Sequence, residues 1–401
     1  MKIVYITVET PFGKGETFIL EEMLELKKRR IELLVIPRKP PKEVFHGDAN
    51  ELLENSIWLP LIDFRMVVIF FVALLTKVAL WKILGVILIH SRNPLIFIKN
   101  LSIIPKAIFI AGIVKKKNIE HIHAHWGSTT ATMAYIVSQL TNIPWSFTLH
   151  RWDIKENNML KEKVKSAKFV RCISEHGKNE LFEIVGGNYR EKIKVVYMGV
   201  ETSIRIDEFP KNKEKFTIIT PANLVEKKGH KYLIDACEIL VNQGIKNFQC
   251  FFYGTGPLKG ELENLIKEKK LIDYITIQGA IPHENLMKMY KNREIDMVVL
   301  PSITTSNGEL EGIPVSLMEA MAYGIPVIST NTGGIPELLS NGAGIIVEEK
   351  SPEKLAEAIL KIMKDKDLRR ELTERGLQRI KEDFNIEKNT KILLKLIKKL
   401  S

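Results

Sequence analysis

Short apolar runs alternate with longer amphipathic stretches along the chain, a pattern that predicts parallel strands separated by helices. The first run, Ile3 to Thr7, is followed by a glycine-containing loop and by apolar residues at helical spacing from Phe18 to Leu26. A second run from Leu33 to Ile36 completes a β–loop–α–β unit. The loop lacks the G-x-G-x-x-G pattern of dinucleotide sites, so Gly13 and Gly15 form either a simple turn or a ligand-binding loop.

The same alternation continues to about residue 200, stops in a polar, proline-containing stretch over 201–215, and then restarts. This break predicts an α/β protein of two domains, with the boundary between residues 205 and 206. Further strands are predicted in the first domain at 119–124, 143–149, 169–173 and 194–196, and in the second at 216–221, 248–253, 275–277, 297–300 and 326–329.

One part of the first domain departs from this alternation. Residues 66–89 form a long apolar run that contains Lys77 and Lys82, and a second apolar stretch follows at 95–114. The first run is long enough to span a bilayer, but each lysine near its middle would cost about 2.5–3.5 kcal/mol. Three interpretations stay open: a membrane-spanning hairpin, helices that cover the domain, and a helix pair that lies on a membrane surface.

The composition, 45% hydrophobic and 27% charged, is ordinary for a globular protein. The net charge of +11 favours anionic partners, among them nucleic acid, acidic lipid headgroups and nucleotide-sugars. Nucleic acid is the least favoured, because the sequence has no zinc-finger spacing, aromatic-rich RNA-binding signature or basic tail. The three cysteines form no CxxC pair, which predicts buried thiols and a reducing compartment. The amino terminus becomes polar too early for a signal peptide.

The stretch from Glu311 to Glu319 has the most informative pattern of the second domain. Gly312 and Pro314 argue against one continuous helix, so Glu311 is predicted on a loop and Glu319 just inside a helix that ends at Gly324. Free N–H groups at the start of that helix favour a phosphate, and the flanking carboxylates accept hydrogen bonds from hydroxyls. Such a site suits a nucleotide-sugar, although a helix cap beside a solvated glutamate gives the same pattern.

Other candidate functional residues follow predicted strands. Lys227 and Lys228 precede a glycine at a strand-to-helix turn, which suits either a phosphate or a solvated basic turn. His150 follows the strand at 143–149 and is a candidate catalytic or substrate-binding group, with a structural role as the alternative. The three histidines of HIHAH at 121–125 alternate on one face of a strand, where a structural role is commoner than a metal site, so no metal site is predicted there.

Together these motifs resemble a known family. The sequence EGIPVSLMEAMAYGIPVIST, followed by TGGIPELL, is similar to the family 4 retaining glycosyltransferases, which have the GT-B fold, and PSITTSNGELEGIPVSLMEAMA resembles bacterial exopolysaccharide enzymes of the colanic-acid type. The resemblance covers most of the carboxyl half. It implies two Rossmann-like domains that face a central cleft: an acceptor-binding domain over 1–205, completed by a final helix at about 384–401, and a nucleotide-sugar-binding domain over 206–383.

The resemblance also implies roles for individual residues. His150, which begins an H-x-x-D sequence, would contact the donor sugar, and Glu311 would hold sugar hydroxyls; these two are the predicted catalytic residues. The predicted donor-binding residues are Gly15, Asn223, Lys228, Gly254, Ser316, Leu317 and Glu319. Relatives usually have an arginine where this chain has Asn223. Two outcomes are open. Another basic residue such as Lys227, or the start of the helix, supplies the second positive charge; otherwise the donor affinity is weak.

The implied function is transfer of a sugar, with retention at the anomeric carbon, from a nucleoside-diphosphate-sugar to a glycan or polyprenyl-linked glycan acceptor. The pathway would be exopolysaccharide or lipopolysaccharide synthesis, without a metal or other cofactor. The positive charge and the apolar region at 66–114 add an expectation of a cytoplasmic protein in peripheral contact with the anionic inner membrane face. Two alternatives remain: a nucleotide-sugar epimerase of the same fold, and a non-catalytic, membrane-associated assembly subunit.

Overall fold

The computed structural model describes residues 1–13, 16–41, 43–45, 47–202 and 213–400. The chain divides into two units, of which the first comprises Met1–Tyr197 and Ile386–Ser401 and the second Met198–Asn385. The last helix of the chain therefore belongs to the first unit. The predicted domain boundary between residues 205 and 206 lies outside the described residues.

A parallel six-stranded sheet forms the centre of the first unit. Its strands are β1 (Lys2–Thr7), β2 (Glu32–Pro37), β3 (His121–His125), β4 (Trp145–Leu149), β5 (Phe169–Cys172) and β6 (Ile193–Val195). They lie in the order β2-β1-β3-β4-β5-β6, so the direction of strand succession reverses between β1 and β3. Every residue of β3 and β4 is buried, as expected for parallel strands covered by helices on both faces.

Ten helices precede the second unit in the described part of the chain. They are α1 (Thr17–Lys28), α2 (Asn50–Leu53), α3 (Phe64–Thr76), α4 (Val78–His90), α5 (Pro94–Ser102), α6 (Ile104–Lys116), α7 (Thr129–Thr141), α8 (Arg151–Glu156), α9 (Leu160–Ser166) and α10 (Glu175–Val185). The predicted strand at 119–124 begins later, at His121. The reason is that the backbone N–H of Ile119 still bonds to the carbonyl of Val114 and closes the end of α6.

The apolar region at 66–114 folds into α3 to α6. By length and composition alone, Pro94–Lys116, which has a mean hydropathy of 1.7, meets the test for a membrane span. Helices α3 and α4 meet it only when they are taken together as one segment, and they join at a bend of 103°. Half of the first stretch is buried inside the unit, and core helices of globular proteins pass the same test. Helix α6 packs against α3 and α7. The inner faces of these helices thus belong to the core of the first unit.

Lys106, which interrupts the second apolar stretch, is fully buried in α6. Its Nζ donates hydrogen bonds of 2.7, 2.8 and 2.8 Å to the carbonyls of Pro37, Arg38 and Leu59. Burial, with a smaller contribution from the charge of Arg38, lowers the pKa of Lys106 to about 7. This lysine therefore ties α6 to the segment after β2.

A second parallel sheet of six strands forms the centre of the second unit. Its strands are β7 (Phe216–Pro221), β8 (Phe248–Tyr253), β9 (Ile275–Gly279), β10 (Met297–Leu300), β11 (Val327–Thr330) and β12 (Ile345–Val347). Their order is β12-β11-β10-β7-β8-β9, so the strand succession reverses between β7 and β10. In open α/β sheets, ligands bind beyond the carboxyl ends of the strands at such a reversal.

The helices of the second unit are α11 (His230–Asn242), α12 (Lys259–Glu268), α13 (His283–Lys291), α14 (Val315–Ala322), α15 (Ile335–Leu338), α16 (Pro352–Lys364) and α17 (Lys366–Asp383). The stretch from Glu311 to Glu319, which we call the Glu-x7-Glu motif, has the predicted arrangement: Glu311 lies on a loop and Glu319 within α14. Pro314 is the N-cap of α14 and not part of its first turn, and Gly324 follows the helix with a φ of +68°.

The last helix, α18 (Ile386–Leu400), packs against α1 in the first unit. Its apolar face contributes Leu393, Leu394 and Ile397 to a core cluster that includes Ile19 and Met23 of α1. The opposite face is rich in lysine, which is typical of an amphipathic helix with one face in water.

Candidate functional site

The loops that follow β7 and β10 meet at the strand reversal of the second unit. The loop after β7 contains a short 3₁₀ turn, Glu226–Lys228, and Gly229, with a φ of +67°, then leads into α11. The backbone N–H of Ile303, in the loop after β10, donates a 2.8 Å hydrogen bond to the carbonyl of Lys227. Residues distant in sequence thus come together beyond the carboxyl edge of the sheet.

Lys228 and Glu311 form an ion pair at this place. Lys228 Nζ lies 2.5 Å from Glu311 Oε2, and only 15% and 12% of the two side chains are exposed. Burial raises the pKa of Glu311, but the charge and hydrogen bond of Lys228, with smaller contributions from Lys227 and the Gly312 N–H, outweigh it. The pKa therefore lies below its ordinary value, and the carboxylate is charged at neutral pH.

Two glycines allow the backbone to pack closely around this ion pair. A Cβ at Gly229 would overlap the carbonyl of Pro301, and one at Gly333, where φ is +60°, would overlap the carbonyl of Glu311. The TGG sequence after β11 therefore supports the loop that holds Glu311. Only glycine combines the left-handed backbone conformation with such a close approach.

The start of α14 lies directly after this loop. The first intrahelical hydrogen bonds run from Leu317 and Met318 to the carbonyl of Pro314, at 3.2 and 3.3 Å. The N–H groups of Val315 and Ser316 precede them, and they carry the partial positive charge of a helix start. The predicted donor-binding residues Ser316 and Leu317 thus form the first turn of this helix.

Glu319 lies one turn further along α14, and only 7% of it is exposed. Its Oε1 is 2.8 Å from Nε2 of His283, the first residue of α13. A histidine partner for Glu319 was not predicted from the sequence, because nothing local links residues 36 positions apart. The pair places a carboxylate oxygen and an imidazole beside the first turns of both helices.

The predicted donor residues Asn223 and Gly254 follow β7 and β8, which are neighbouring strands. A Cβ at Gly254 would overlap the carbonyl of Ala222, so the two turns are in contact. Asn223 is exposed, and its carbonyl accepts a hydrogen bond from the N–H of Val225. The charge of Lys227 acts on Glu311, which identifies this lysine as a second cation close to the Lys228–Glu311 pair.

The first unit has a corresponding arrangement at the reversal between β1 and β3. Glu16 follows β1, and its carboxylate accepts hydrogen bonds from the N–H of Thr10, at 3.0 Å, and the hydroxyl of Thr10, at 2.6 Å. Nε1 of Trp126, directly after β3, donates to the other oxygen of Glu16. Gly15, the remaining predicted donor-binding residue, lies outside the described residues.

His150 lies at the carboxyl end of β4 and is the N-cap of α8. Its Nε2 is 2.7 Å from Nε2 of His125, and its ring lies against those of Trp126 and Phe18, with centroid distances of 4.2 and 5.3 Å. Burial, reinforced by the charge of Arg171, lowers the pKa of His150 to about 3. His150 is therefore neutral at pH 7, and its contact with His125 is a hydrogen bond between uncharged rings.

Asp153 explains the H-x-x-D sequence structurally. Its Oδ2 accepts a 3.1 Å hydrogen bond from the backbone N–H of His150, and the backbone of Gly127 bonds to the same carboxyl group. Burial raises the pKa of Asp153 to about 7, although both backbone hydrogen bonds oppose the shift. Asp153 thus fixes the start of α8, and with it the position of His150, against the segment after β3.

The three alternating histidines of β3 point toward β4. His121 Nε2 and His123 Nδ1 each lie 2.8 Å from the hydroxyl of Ser146, and His123 Nε2 lies 3.0 Å from that of Thr148. All three histidines are fully buried. The alternation therefore has a structural explanation, because His121 and His123 contact hydroxyl groups and His125 pairs with His150.

The structure thus brings Lys228, Glu311 and Gly229 together, and it places His150 in the other unit. The functional candidates that were not predicted from the sequence are Glu16, His125, Trp126 and His283. Their shared signal is position: each lies within a few residues of the carboxyl end of a strand or at the start of a helix.

Comparison with solved structures defines the class of the fold. The crystal structure of Anabaena Alr3699/HepE in complex with UDP-glucose aligns with a TM-score of 0.72 over 100% of both chains, at 17% identity. Similarity at this identity concerns the fold alone, and that fold is GT-B. The predicted α/β fold with two Rossmann-like domains is confirmed.

Residues 202–379 match the model of the family described as Glycosyl transferases group 1. This segment contains the entire second sheet and the Lys228–Glu311 pair. The second unit is therefore built from a glycosyltransferase group 1 domain, and the resemblance predicted from the Glu-x7-Glu motif is confirmed for this part of the chain.

Two relatives agree with this assignment. The putative colanic acid biosynthesis glycosyltransferase WcaL of Escherichia coli (strain K12) is 36% identical over 215 residues, which are 53% of this chain and 52% of that protein. The amylovoran biosynthesis glycosyltransferase AmsK of Erwinia amylovora is 39% identical over 177 residues, 43% of this chain and 42% of that protein. The chain thus spans about half the length of these curated relatives.

Proposed function

We propose that the chain is a glycosyltransferase that moves a sugar from a nucleoside-diphosphate-sugar to a glycan or lipid-linked glycan acceptor, with retention at the anomeric carbon. The observation that carries the proposal is the buried Lys228–Glu311 pair at the strand reversal of a group 1 domain. Relatives that carry names from colanic acid and amylovoran biosynthesis support a role in exopolysaccharide synthesis.

The donor diphosphate would bind where positive charge is concentrated in the second unit. Lys228 and Lys227 supply two ammonium groups, and the first turn of α14 supplies the backbone N–H groups of Val315 and Ser316, which precede the first intrahelical hydrogen bond. The diphosphate of the bound donor is already negative and gains charge as the glycosidic bond breaks, so these groups stabilise both the bound donor and the transition state. Glu311 would accept hydrogen bonds from the sugar, and Glu319 from the ribose.

The acceptor would bind to the first unit, where Glu16, Trp126 and the neutral His150 lie close together. Retention fits attack by the acceptor hydroxyl on the same face from which the diphosphate leaves. In that step the bond from the anomeric carbon to the diphosphate oxygen breaks and the bond to the acceptor oxygen forms. The acceptor proton passes to the departing phosphate oxygen, so no protein base is required.

The compartment proposed for this reaction is the cytoplasm. The support is the chemistry of the thiols: Cys172, Cys237 and Cys250 are all free and buried. Free thiols without a partner are the usual state in reducing compartments.

Proton NMR of the first-formed product tests the proposal. The full chain is incubated with the UDP-, GDP- and ADP-sugars in turn, with and without a polyprenyl-diphosphate-linked glycan. We expect a product whose anomeric configuration equals that of the donor, whereas inversion would refute retention. A new nucleotide-sugar epimer formed without acceptor would identify an epimerase instead.

The same assay tests whether the reaction is independent of metal ions. We expect turnover to be unchanged after treatment with a chelator, because the lysines and the helix start of the second unit can neutralise the diphosphate. Loss of turnover with the chelator, restored by Mg²⁺ or Mn²⁺ but not by Na⁺ at equal ionic strength, would overturn metal independence and leave the transferase assignment intact.

A further inference from the structure

The first unit has an unusually apolar surface on α3, α4 and α5. Leu75 is 88% exposed, Phe64 82% and Val78 74%. We call this surface the outer face, and its large exposed residues are Phe64, Val68, Ile69, Phe71, Val72, Leu75, Val78, Trp81, Leu88, Ile89, Leu95 and Ile98. Exposed apolar residues of a soluble protein are usually scattered singly, and a contiguous set marks an interaction surface.

The helical repeat shows that the exposed apolar residues of α3 form a continuous stripe. In α3, Phe64, Val68, Phe71 and Leu75 recur at intervals of three and four residues and so share one side of the helix. Ala73, from the opposite side, is buried in the core of the unit. A helix that is apolar on its outer as well as its inner side contacts a second apolar phase.

The charge of this region is one-sided. Between residues 64 and 119 the sequence has seven lysines and two arginines but no aspartate or glutamate. Lys77, Lys82 and Arg92 are exposed on or beside the outer face, whereas Arg65 is paired with Asp63 at 3.1 Å. Basic residues that flank an apolar surface complement the anionic headgroups of a bilayer, and their aliphatic stems extend along the apolar side.

The shape of α3 and α4 argues for a position on the membrane surface and against a span. Each helix has 13 residues, so each is about 20 Å long, shorter than the roughly 30 Å hydrocarbon core. They meet at 103°, with the exposed Lys77 at the bend. Trp81 Nε1 donates a 2.9 Å hydrogen bond to the carbonyl of Leu74, which fixes the bend.

We propose that the outer face of α3 to α5 inserts into the interfacial region of a bilayer that contains anionic lipids. The apolar side chains enter the boundary between headgroups and acyl chains, and the lysines and arginines contact the headgroups. This inference does not depend on the proposed function, since it requires neither a donor nor an acceptor.

Sedimentation with sucrose-loaded vesicles tests the proposal on the full chain. We expect the wild type to pellet with phosphatidylcholine vesicles that contain 30% phosphatidylglycerol, and the partition coefficient to fall with added salt. The triple variant Phe71→Ser, Leu75→Ser and Leu88→Ser should lower the partition coefficient more than about tenfold. The matched control, Ile272→Ser, Ile346→Ser and Ile392→Ser, removes exposed apolar residues elsewhere and should leave it unchanged.

A charge variant separates the electrostatic contribution. Lys77→Glu with Lys82→Glu should lower binding to anionic vesicles by at least about tenfold. Lys366→Glu with Lys381→Glu, two exposed lysines of α17, makes the same change in net charge and should have little effect. Equal loss in both variants would show that only net charge matters and would overturn a specific docking face.

Quenching of tryptophan fluorescence by lipids brominated on the acyl chain gives a second readout without a destabilising change. We expect quenching in the wild type that is largely lost in Trp81→Phe, because Trp81 lies on the outer face. Absence of both pelleting and quenching would overturn the proposal. The proposal would also be overturned if light scattering showed a dimer in the absence of lipid and the triple serine variant were a monomer. The outer face would then be an interface between two copies.

Discussion

Lys228 and Glu311 are 83 positions apart in the sequence, yet Lys228 Nζ lies 2.5 Å from Glu311 Oε2 at the strand reversal of the second sheet. Each side chain is partly buried and neutralises the other. A diphosphate that binds Lys228 shares the ammonium group with Glu311, so donor binding and the position of Glu311 are linked.

Replacement of Lys228 by methionine keeps the aliphatic stem and removes the charge. A hydrogen bond to a charged group contributes about 1.5–3 kcal/mol, so we expect the donor KM to rise about 10- to 100-fold. Without the charge of Lys228 to oppose it, burial should raise the pKa of Glu311. The acidic limb of the pH–rate profile should therefore move to higher pH. Steady-state kinetics with Lys231→Met, an exposed lysine of α11, as control measures both effects; a KM equal to that of the control would contradict the assigned role.

Asn223→Arg adds the arginine that the family resemblance leads one to expect at this position. Asn223 is exposed on the turn that touches Gly254, so an arginine there has room to reach a diphosphate. We expect the donor KM to fall by about tenfold, the value of one charged hydrogen bond, with kcat changed little. Asn242→Arg at the end of α11 adds the same charge elsewhere. An unchanged KM in Asn223→Arg would show that Lys227 and the start of α14 already complete the phosphate site.

The packing of Gly333 against the Glu311 loop predicts a difference between two glycine substitutions. Gly333→Ala places a Cβ against the carbonyl of Glu311 at a φ of +60° and should destabilise the second unit by about 2–4 kcal/mol. Gly312→Ala, in the same loop, has no atom within 4 Å of the new Cβ and should cost less than about 0.5 kcal/mol. Urea unfolding compares the two; equal midpoints would contradict the close contact.

The buried histidines predict loss of stability in acid. Burial lowers the pKa of His121 and of His150 to about 3, below the value of 6.5 expected when unfolded. As the pH falls below 6.5 the unfolded chain takes up protons that the folded chain does not. The unfolding free energy should therefore fall by about 1.4 kcal/mol per pH unit for each histidine, down to about pH 3, while protonation of Asp153, whose pKa is raised to about 7, offsets one such contribution between about pH 7 and pH 4.

Denaturant unfolding at pH 7.5, 6.5 and 5.5 measures this slope. The variant His121→Gln should have a shallower slope than the wild type, whatever its absolute stability. His176→Gln, at an exposed position, should keep the wild-type slope. A wild-type stability that is constant between pH 6.5 and 5.5 would contradict neutral buried histidines.

The strands and the Glu-x7-Glu loop could be predicted because apolar periodicity and the residues Gly312 and Pro314 act locally. The pairing of His283 with Glu319, and of Trp126 with Glu16, depends on which strands and helices are neighbours, and local sequence does not encode that order. Lys106 shows the opposite difficulty. It interrupts an apolar stretch in the sequence, yet three backbone carbonyls make it part of the core.

The most direct test of a donor site at Lys228 and Glu311 is donor binding to the wild type and to Glu311→Ala, measured by thermal shift and slow hydrolysis with UDP-, GDP- and ADP-sugars. Glu309→Ala, an exposed position on the same loop, is the matched control. We expect one donor to raise the melting temperature and to be slowly hydrolysed, and we expect Glu311→Ala, but not Glu309→Ala, to abolish the response. A chain that responds to no donor, or a Glu311→Ala variant that responds like the wild type, would contradict the placement of the donor site at Lys228 and Glu311.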